Sequence, residues 1–289
     1  MVKKYSSKVD KIMSQTSLFP KEKKIDPKNK LNDLDGKEWI KFLKSWYVFD
    51  ALKSDLNEER RITKDSDDHP ATFSPTMISE YINFFTKKGM IVLDPFVGIG
   101  STLVACDRTD RKGIGIELNK KFVNMTKKRI SNKQKVIIGD ARKLLELDVP
   151  SIDFCITSPP YWSMLHKIDK NQKIRIEKGL STKYSNKKND LGNILNYEEF
   201  MTQLITIFEQ VHELLKPGKY LVVFVQNVIN KNIMVPFAWD LAMRLSKKFW
   251  LKKEKIWCQD HKNLVPFGYP YGWVSNTHHH YALIFQKQK

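Results

Sequence analysis

Apolar positions follow two rhythms along this chain. Short apolar runs at Met90–Leu93, Gly113–Glu117, Lys135–Ile138, Ile152–Ile156 and Tyr220–Val225 predict buried strands. Between them, apolar residues recur at helical spacing in Leu103–Arg108, Lys120–Ser131 and Glu198–Leu215. A further helix is predicted over Ser74–Thr86, with Met77, Ile78, Tyr81, Ile82, Phe84 and Phe85 on its apolar side. Strands alternating with helices of this length imply βαβ units and a mostly parallel sheet covered on both faces, an α/β fold. Lys216-Pro217-Gly218 is expected to end a helix before the next strand. Phe249–Gln259 and Tyr281–Lys287 read as two strands joined by a Gly/Pro/Tyr-rich loop, an antiparallel hairpin at the sheet edge. Upstream, Trp39, Ile40, Leu43, Trp46 and Tyr47 recur at helical spacing and predict an amphipathic helix. Residues 1 to about 30 show little periodicity and read as a basic extension. The expected division is an N-terminal arm, 1–33, and one domain, 34–289, with an insertion at about 163–196.

Composition adds a core and a charge. Of 289 residues, 41% are hydrophobic and 11% aromatic, enough for a full-sized core. No apolar run approaches the roughly 20 residues that span a bilayer, and Met1-Val2-Lys3-Lys4 leads into a polar stretch rather than a signal peptide. Cys106, Cys155 and Cys258 lack CxxC spacing, which argues against zinc or disulfides and fits a reducing cytoplasm. Fifty Lys and Arg against 32 Asp and Glu give a net charge of +18, which suits a polyanionic partner such as nucleic acid. A merely Lys-rich soluble protein would carry the same charge.

The first chemical signal is Asp94-Pro95-Phe96-Val97-Gly98-Ile99-Gly100-Ser101-Thr102, after a predicted strand and before a helix. Glycines there let the backbone pass close to a ligand and open a helix N-terminus. The segment lacks the GK[ST] ending of a P-loop and the third glycine of a dinucleotide fingerprint. Asp94 would turn a carboxylate towards the ligand, which suits a cation, and S-adenosylmethionine carries both an ammonium and a sulfonium. Glu117 closes the next strand, where a carboxylate can accept both ribose hydroxyls, and Asp140 follows the third, placed for an adenine amino group.

Thr157-Ser158-Pro159-Pro160-Tyr161-Trp162 ends the fourth predicted strand. Together with Asp94–Thr102 it resembles the amino-directed DNA methyltransferases, which act on cytosine N4 or adenine N6. The resemblance extends to His69-Pro70-Ala71-Thr72-Phe73, Leu215-Lys216-Pro217-Gly218 and His280-Tyr281-Ala282-Leu283-Ile284-Phe285, and so covers about residues 69–287. It implies a Rossmann-like class I methyltransferase sheet and S-adenosylmethionine as cofactor. Thr72, Phe73, Asp94, Pro95, Phe96, Gly98, Gly100, Ser101, Thr102, Glu117 and Asp140 would then contact that cofactor. Ser158, Pro159, Pro160 and Tyr161 would be catalytic: acceptors at Ser158 and the Pro159 carbonyl draw the amino hydrogens, the prolines fix the loop, and Tyr161 stacks on an extruded base.

Ser rather than Asp at the first position of the tetrapeptide leans towards cytosine N4 over adenine N6. No cysteine follows a proline, so the nucleophile of cytosine-C5 enzymes is absent. Double-stranded DNA is the implied partner, within a restriction–modification system that would add a cognate endonuclease, in the cytoplasm at the nucleoid. Lys167, Lys170, Lys173, Arg175, Lys183, Lys187 and Lys188, in the polar insertion after Trp162, are the candidate DNA contacts. The aromatic Lys262–Thr277 loop is a second candidate. His278-His279-His280 forms no metal site on this reading, because neighbouring strand residues point to opposite faces. Rival readings are an RNA base methyltransferase, a protein-glutamine methyltransferase, and a catalytically silent DNA-binding module.

Overall fold

The computed structural model describes residues 24–49, 55, 73–162, 190–230, 232–260, 263–266, 268–273 and 275–289. An eight-stranded sheet runs in the order β1-β9-β10-β6-β5-β2-β3-β4. Its strands are β1 (Trp46–Val48), β2 (Ile91–Asp94), β3 (Lys112–Glu117), β4 (Lys135–Ile138), β5 (Ile152–Thr157), β6 (Leu215–Val225), β9 (Trp250–Cys258) and β10 (His279–Gln286). A two-stranded hairpin, β7 (Val228–Asn230) with β8 (Ile233–Val235), stands apart from it. β2 to β6 are parallel, while β10 is antiparallel to both β6 and β9. This matches the mostly parallel, Rossmann-like α/β sheet with an antiparallel hairpin that the sequence predicts.

Period-two alternation along the central strands builds two cores. Leu93, Cys155, Leu221, Val223, Val225, Leu283 and Phe285 face α5 (Tyr197–Leu214) and α6 (Phe237–Leu245). Val92, Phe154, Ile156, Val222, Phe224, Ala282 and Ile284 face α2 (Pro75–Phe85) and α3 (Ser101–Thr109). α5 is typical of how the helices form: the Asn196 side chain accepts the Glu199 N–H at its start, and Phe200, Met201, Leu204, Ile207, Phe208 and Val211 form its buried stripe. α4 (Lys120–Lys127) packs beside β3 and β4.

The helical spacing of Trp39, Ile40, Leu43, Trp46 and Tyr47 holds only as far as Phe42. α1 spans Gly36–Phe42 under an Asp35–Glu38 capping box, and Trp46 and Tyr47 lie in β1. β1 pairs in parallel with β9, so the predicted hairpin is one strand in from the edge. Backbone partners on β9 outcompete continuation of the helix, because Trp-Tyr-Val suits a strand and the ladder satisfies its N–H and C=O groups. Lys255 of β9 fixes this segment to the sheet, its Nζ 3.6 Å from the Phe42 ring centroid. Asn32, fully buried, donates to the Phe84 carbonyl at 2.6 Å and anchors the chain ahead of α1.

At the other departure, Lys216-Pro217-Gly218 is the start of β6 rather than a turn outside it: α5 ends at Leu214 and the strand begins at Leu215. Gly218 has φ of +75° and pairs its N–H with the Lys287 carbonyl at 3.0 Å. No helix among the described residues is long and apolar enough to cross a membrane.

Candidate active site

The glycine loop leaves β2 and enters α3 through two left-handed residues, Gly98 at φ +54° and Gly100 at φ +90°. Val97 N–H bonds the Ile116 carbonyl at 3.1 Å, tying the loop to β3. From the outer side α4 and the turn after it support the loop: Thr126 Oγ1 donates to the Gly98 carbonyl at 3.1 Å, and Arg129, just past the helix, donates to the Ile99 carbonyl. A Cβ on Gly100 would sit 2.5 Å from Thr126 Cγ2. Gly100→Ala therefore combines a conformation costing ~1–2 kcal/mol for an L-residue with a steric overlap. The variant should melt several degrees lower and bind cofactor more weakly; an unchanged melting curve would contradict this account of the loop.

Asp94, at the end of β2, is buried, and its oxygens are engaged by the protein. Oδ1 accepts the Phe96 N–H at 3.0 Å and the Thr157 hydroxyl at 2.6 Å, while Oδ2 accepts the Thr102 hydroxyl at 2.5 Å. Burial pushes this carboxyl above its ordinary range, and those three donors pull it back. One side chain thus joins the glycine loop, the first turn of α3 and the residue preceding Ser158. Pro95 is buried and Phe96 half-buried in the same turn, and Ser101 is buried beside Thr102.

Glu117, half-buried at the end of β3, accepts the Asn119 N–H at 2.6 Å and is also held by the Gly98 N–H. Burial pushes its carboxyl up to about 7 against those donors, and the nearby Asp190 carboxylate adds to the push. Asp190 is buried and caps a short 3₁₀ turn, Leu191–Asn193, through the Gly192 N–H at 2.9 Å. Asp140 also caps a 3₁₀ segment, Ala141–Glu146, and holds Arg142 through Nη2 at 2.6 Å and Nε at 3.0 Å. The structure thus brings Glu117, Asp140, Arg142 and Asp190 to one region at the carboxyl ends of β3 and β4. Neither Arg142 nor Asp190 stands out in the sequence. A charge opposite Asp140 two residues on was the only available signal for Arg142.

The Ser158–Tyr161 tetrapeptide follows β5, whose six residues are all buried. Ser158 Oγ donates to the Phe224 carbonyl on β6 at 3.1 Å. Pro159 is buried and Pro160 half-buried. The Tyr161 hydroxyl lies 3.1 Å from His280 Nδ1, and His280 Nε2 lies 3.1 Å from Gln259 Oε1. Because the Gln259 oxygen can only accept, His280 carries its proton on Nε2 and Tyr161 donates to Nδ1. His280 stacks on Trp257 with centroids 4.7 Å apart, and Phe73 packs 5.2 Å from Phe224 and 5.5 Å from Trp257. Trp162 is held by its Nε1–H to the Leu195 carbonyl at 3.1 Å. His280 and Thr157 both lay inside segments singled out in the sequence, but their bonds depend on strand neighbours that the sequence does not display. Thr72 and the seven basic candidates Lys167, Lys170, Lys173, Arg175, Lys183, Lys187 and Lys188 lie outside the described residues.

A cofactor with hydroxyl and ammonium donors and a carboxylate fits these groups. Half-buried Glu117 beside buried Asp190 offers acceptors, and the Gly98–Gly100 turn leaves the α3 N-terminus without a side-chain cap.

The family model described as DNA methylase matches residues 3–128 and 152–289, and this chain belongs to that family. Its methyl donor is S-adenosylmethionine. Among characterised relatives, the Type II methyltransferase M.HpaI of Haemophilus parainfluenzae is 38% identical over 64 residues, 22% of this chain and 20% of that protein. M.Cfr9I of Citrobacter freundii is 40% identical over 70 residues, 24% of this chain and 23% of that protein. M.BglI of Bacillus subtilis is 33% identical over 101 residues, 34% of this chain and 26% of that protein. The matched segments thus span about a quarter or less of these relatives' lengths.

Proposed function

We propose that this protein transfers a methyl group from S-adenosylmethionine to the exocyclic amino group of cytosine, giving N4-methylcytosine in duplex DNA. Membership of the DNA methylase family supports the substrate class, and similarity to Type II enzymes supports a place in a restriction–modification system beside a cognate endonuclease. The observation that carries the chemistry is the commitment of the Ser158 hydrogen to the Phe224 carbonyl. A hydroxyl with its proton spent presents lone pairs, so Ser158 Oγ accepts a hydrogen from the target amine. With the Pro159 carbonyl as second acceptor, the amine nitrogen pyramidalises and its lone pair is freed from the ring. When bound, S-adenosylmethionine would supply an electrophilic methyl carbon on its sulfonium, with the neutral thioether as leaving group. The amine then releases a proton to water. Tyr161, fixed by His280, offers its face to the extruded base.

Incubating the protein with plasmid DNA and labelled S-adenosylmethionine, then identifying labelled nucleosides by mass spectrometry, tests this directly. N4-methylcytosine is expected. N6-methyladenine would overturn the use of Ser158 as a base discriminator, and label in RNA alone would overturn the DNA substrate.

Glu117 adds a pH signature. Its carboxyl rises from an ordinary 4.5 to about 7 in the folded chain. Between those values the folded protein holds a proton that the unfolded chain has lost. Its stabilising contribution is therefore complete below 4.5 and is lost as the pH rises through about 7. Glu117→Gln removes this dependence, so relative to wild type it should be more stable at pH 8 than at pH 5. If the ionised carboxylate accepts the ribose hydroxyls, wild-type cofactor affinity should rise through pH 7 and the variant's affinity should be weak at every pH. Thermal melts and titration calorimetry at the two pH values check both halves.

A further inference from the structure

The loop between β9 and β10 stands at the catalytic end of the sheet. β5 ends where Thr157 lies opposite Val223 of β6, and the pairing of β10 with that same strand begins where Tyr281 lies opposite Val225. Cys258 at the end of β9 is in turn opposite His279. The loop therefore emerges from the edge that carries the glycine loop and Ser158. Its mouth is wired to the active site: the Gln259 N–H bonds the His278 carbonyl at 2.8 Å, and the Gln259 side chain reaches His280, which holds Tyr161.

Further out the loop is internally braced. Asn276 clamps Val265 in both directions, accepting its N–H at 2.9 Å and donating to its carbonyl at 2.7 Å. At the tip, the N–H groups of Tyr271 and Gly272 both bond the Gly268 carbonyl at 2.7 Å. Yet this braced tip presents Tyr269 at 80%, Tyr271 at 96% and Trp273 at 87% exposure. Three large aromatic side chains held in water on a built turn are a contact surface rather than leftover core.

We propose that Tyr269, Tyr271 and Trp273 form a wedge that enters the base stack of duplex DNA beside the position from which the target base is drawn to Tyr161. The inference rests on the DNA-methylating reading above. Extruding a base breaks its pair and leaves a gap bounded by two exposed base faces, and a flat aromatic side chain restores the lost stacking. The chain's net charge of +18 brings the duplex to the surface, while the loop adds planar rings beside the point of extrusion. This role is separate from that of Tyr161, which receives the base after it has left the helix.

The test uses the recognition sequence mapped from wild-type methylated product. Two duplexes carry it, one fully paired and one with the target base opposite an abasic site, where the base is already unpaired. Trp273→Ala and Tyr271→Ala should each lower kcat/KM on the paired duplex at least about tenfold, within the worth of one base–aromatic stack, and less than about threefold on the unpaired one. Trp273→Phe should retain most of the activity, and S-adenosylmethionine retention should match wild type in all variants. Equal losses on both duplexes, or no loss on either, would overturn the wedge. Wild-type protein that methylates no DNA would overturn the reading beneath it, an outcome visible before any variant is made.

Discussion

Ser158→Ala should lower methyl transfer by roughly 100- to 1,000-fold, the usual consequence of removing one hydrogen-bonding group aimed at a developing charge. Its hydroxyl is half-buried and bonds one backbone carbonyl at 3.1 Å, so removing it costs the fold little. Cofactor affinity and the melting midpoint should therefore stay near wild type, and the loss should appear in kcat rather than KM. The same logic separates Ser158 from Tyr161. Tyr161→Ala removes the stacking face and leaves His280 without its donor, so it should raise KM for DNA as well as lower kcat. Single-turnover transfer to plasmid DNA, with cofactor binding measured in parallel, distinguishes the two patterns. A Ser158→Ala enzyme that keeps full kcat would remove Ser158 from the chemistry and leave the Pro159 carbonyl as the remaining acceptor.

Local pattern and tertiary context contributed differently to what could be read in advance. The strands β2, β3, β4 and β5 match their apolar runs to within a residue or so: β2, β3 and β5 are mostly buried, while β4 is a short, partly exposed run at the sheet edge that is closed by Gly139. Tyr47 was illegible as a strand residue, since its partner Trp257 is supplied by β9 from the far end of the chain. α6 was unexpected for a related reason. Phe237, Ala238, Leu241, Ala242 and Leu245 have helical spacing, but they follow Pro236 and the β7–β8 hairpin in a stretch of mixed signals. In the site, the residue types at strand ends were legible because ligands collect there in open α/β sheets. What each carboxylate bonds was not. Asp94 reads as a group facing the ligand, yet one of its donors, Thr157, lies 63 residues away, and Asp140 is clasped by Arg142. A sequence shows which residues reach the crevice but not which of them are already satisfied by neighbours.

That distinction makes Asp94 the position where the largest combined loss is expected. Asp94→Ala strands the Phe96 N–H and the hydroxyls of Thr102 and Thr157 in a buried turn, at about 1–3 kcal/mol for each group left unsatisfied. The variant should melt many degrees lower and lose both cofactor binding and transfer. Asp94→Asn is more discriminating. Burial disfavours the charge at this site, so a neutral isostere escapes that penalty. Its single acceptor oxygen can serve Phe96 and Thr157, but the amide nitrogen then faces Thr102, which must rotate to accept. This variant should keep much of its stability and of its cofactor affinity, because the bonds to Phe96 and Thr157 persist and only the bond to Thr102 is rearranged. A double-mutant cycle of Asp94→Ala with Thr157→Val makes the role measurable. If Asp94 braces the two loops, the coupling energy should be of the order of 1 kcal/mol in both stability and transfer, because both single variants break the same 2.6 Å bond. If Asp94 acts only by facing the cofactor's charge, the coupling should vanish in stability and Asp94→Asn should weaken cofactor binding as severely as transfer.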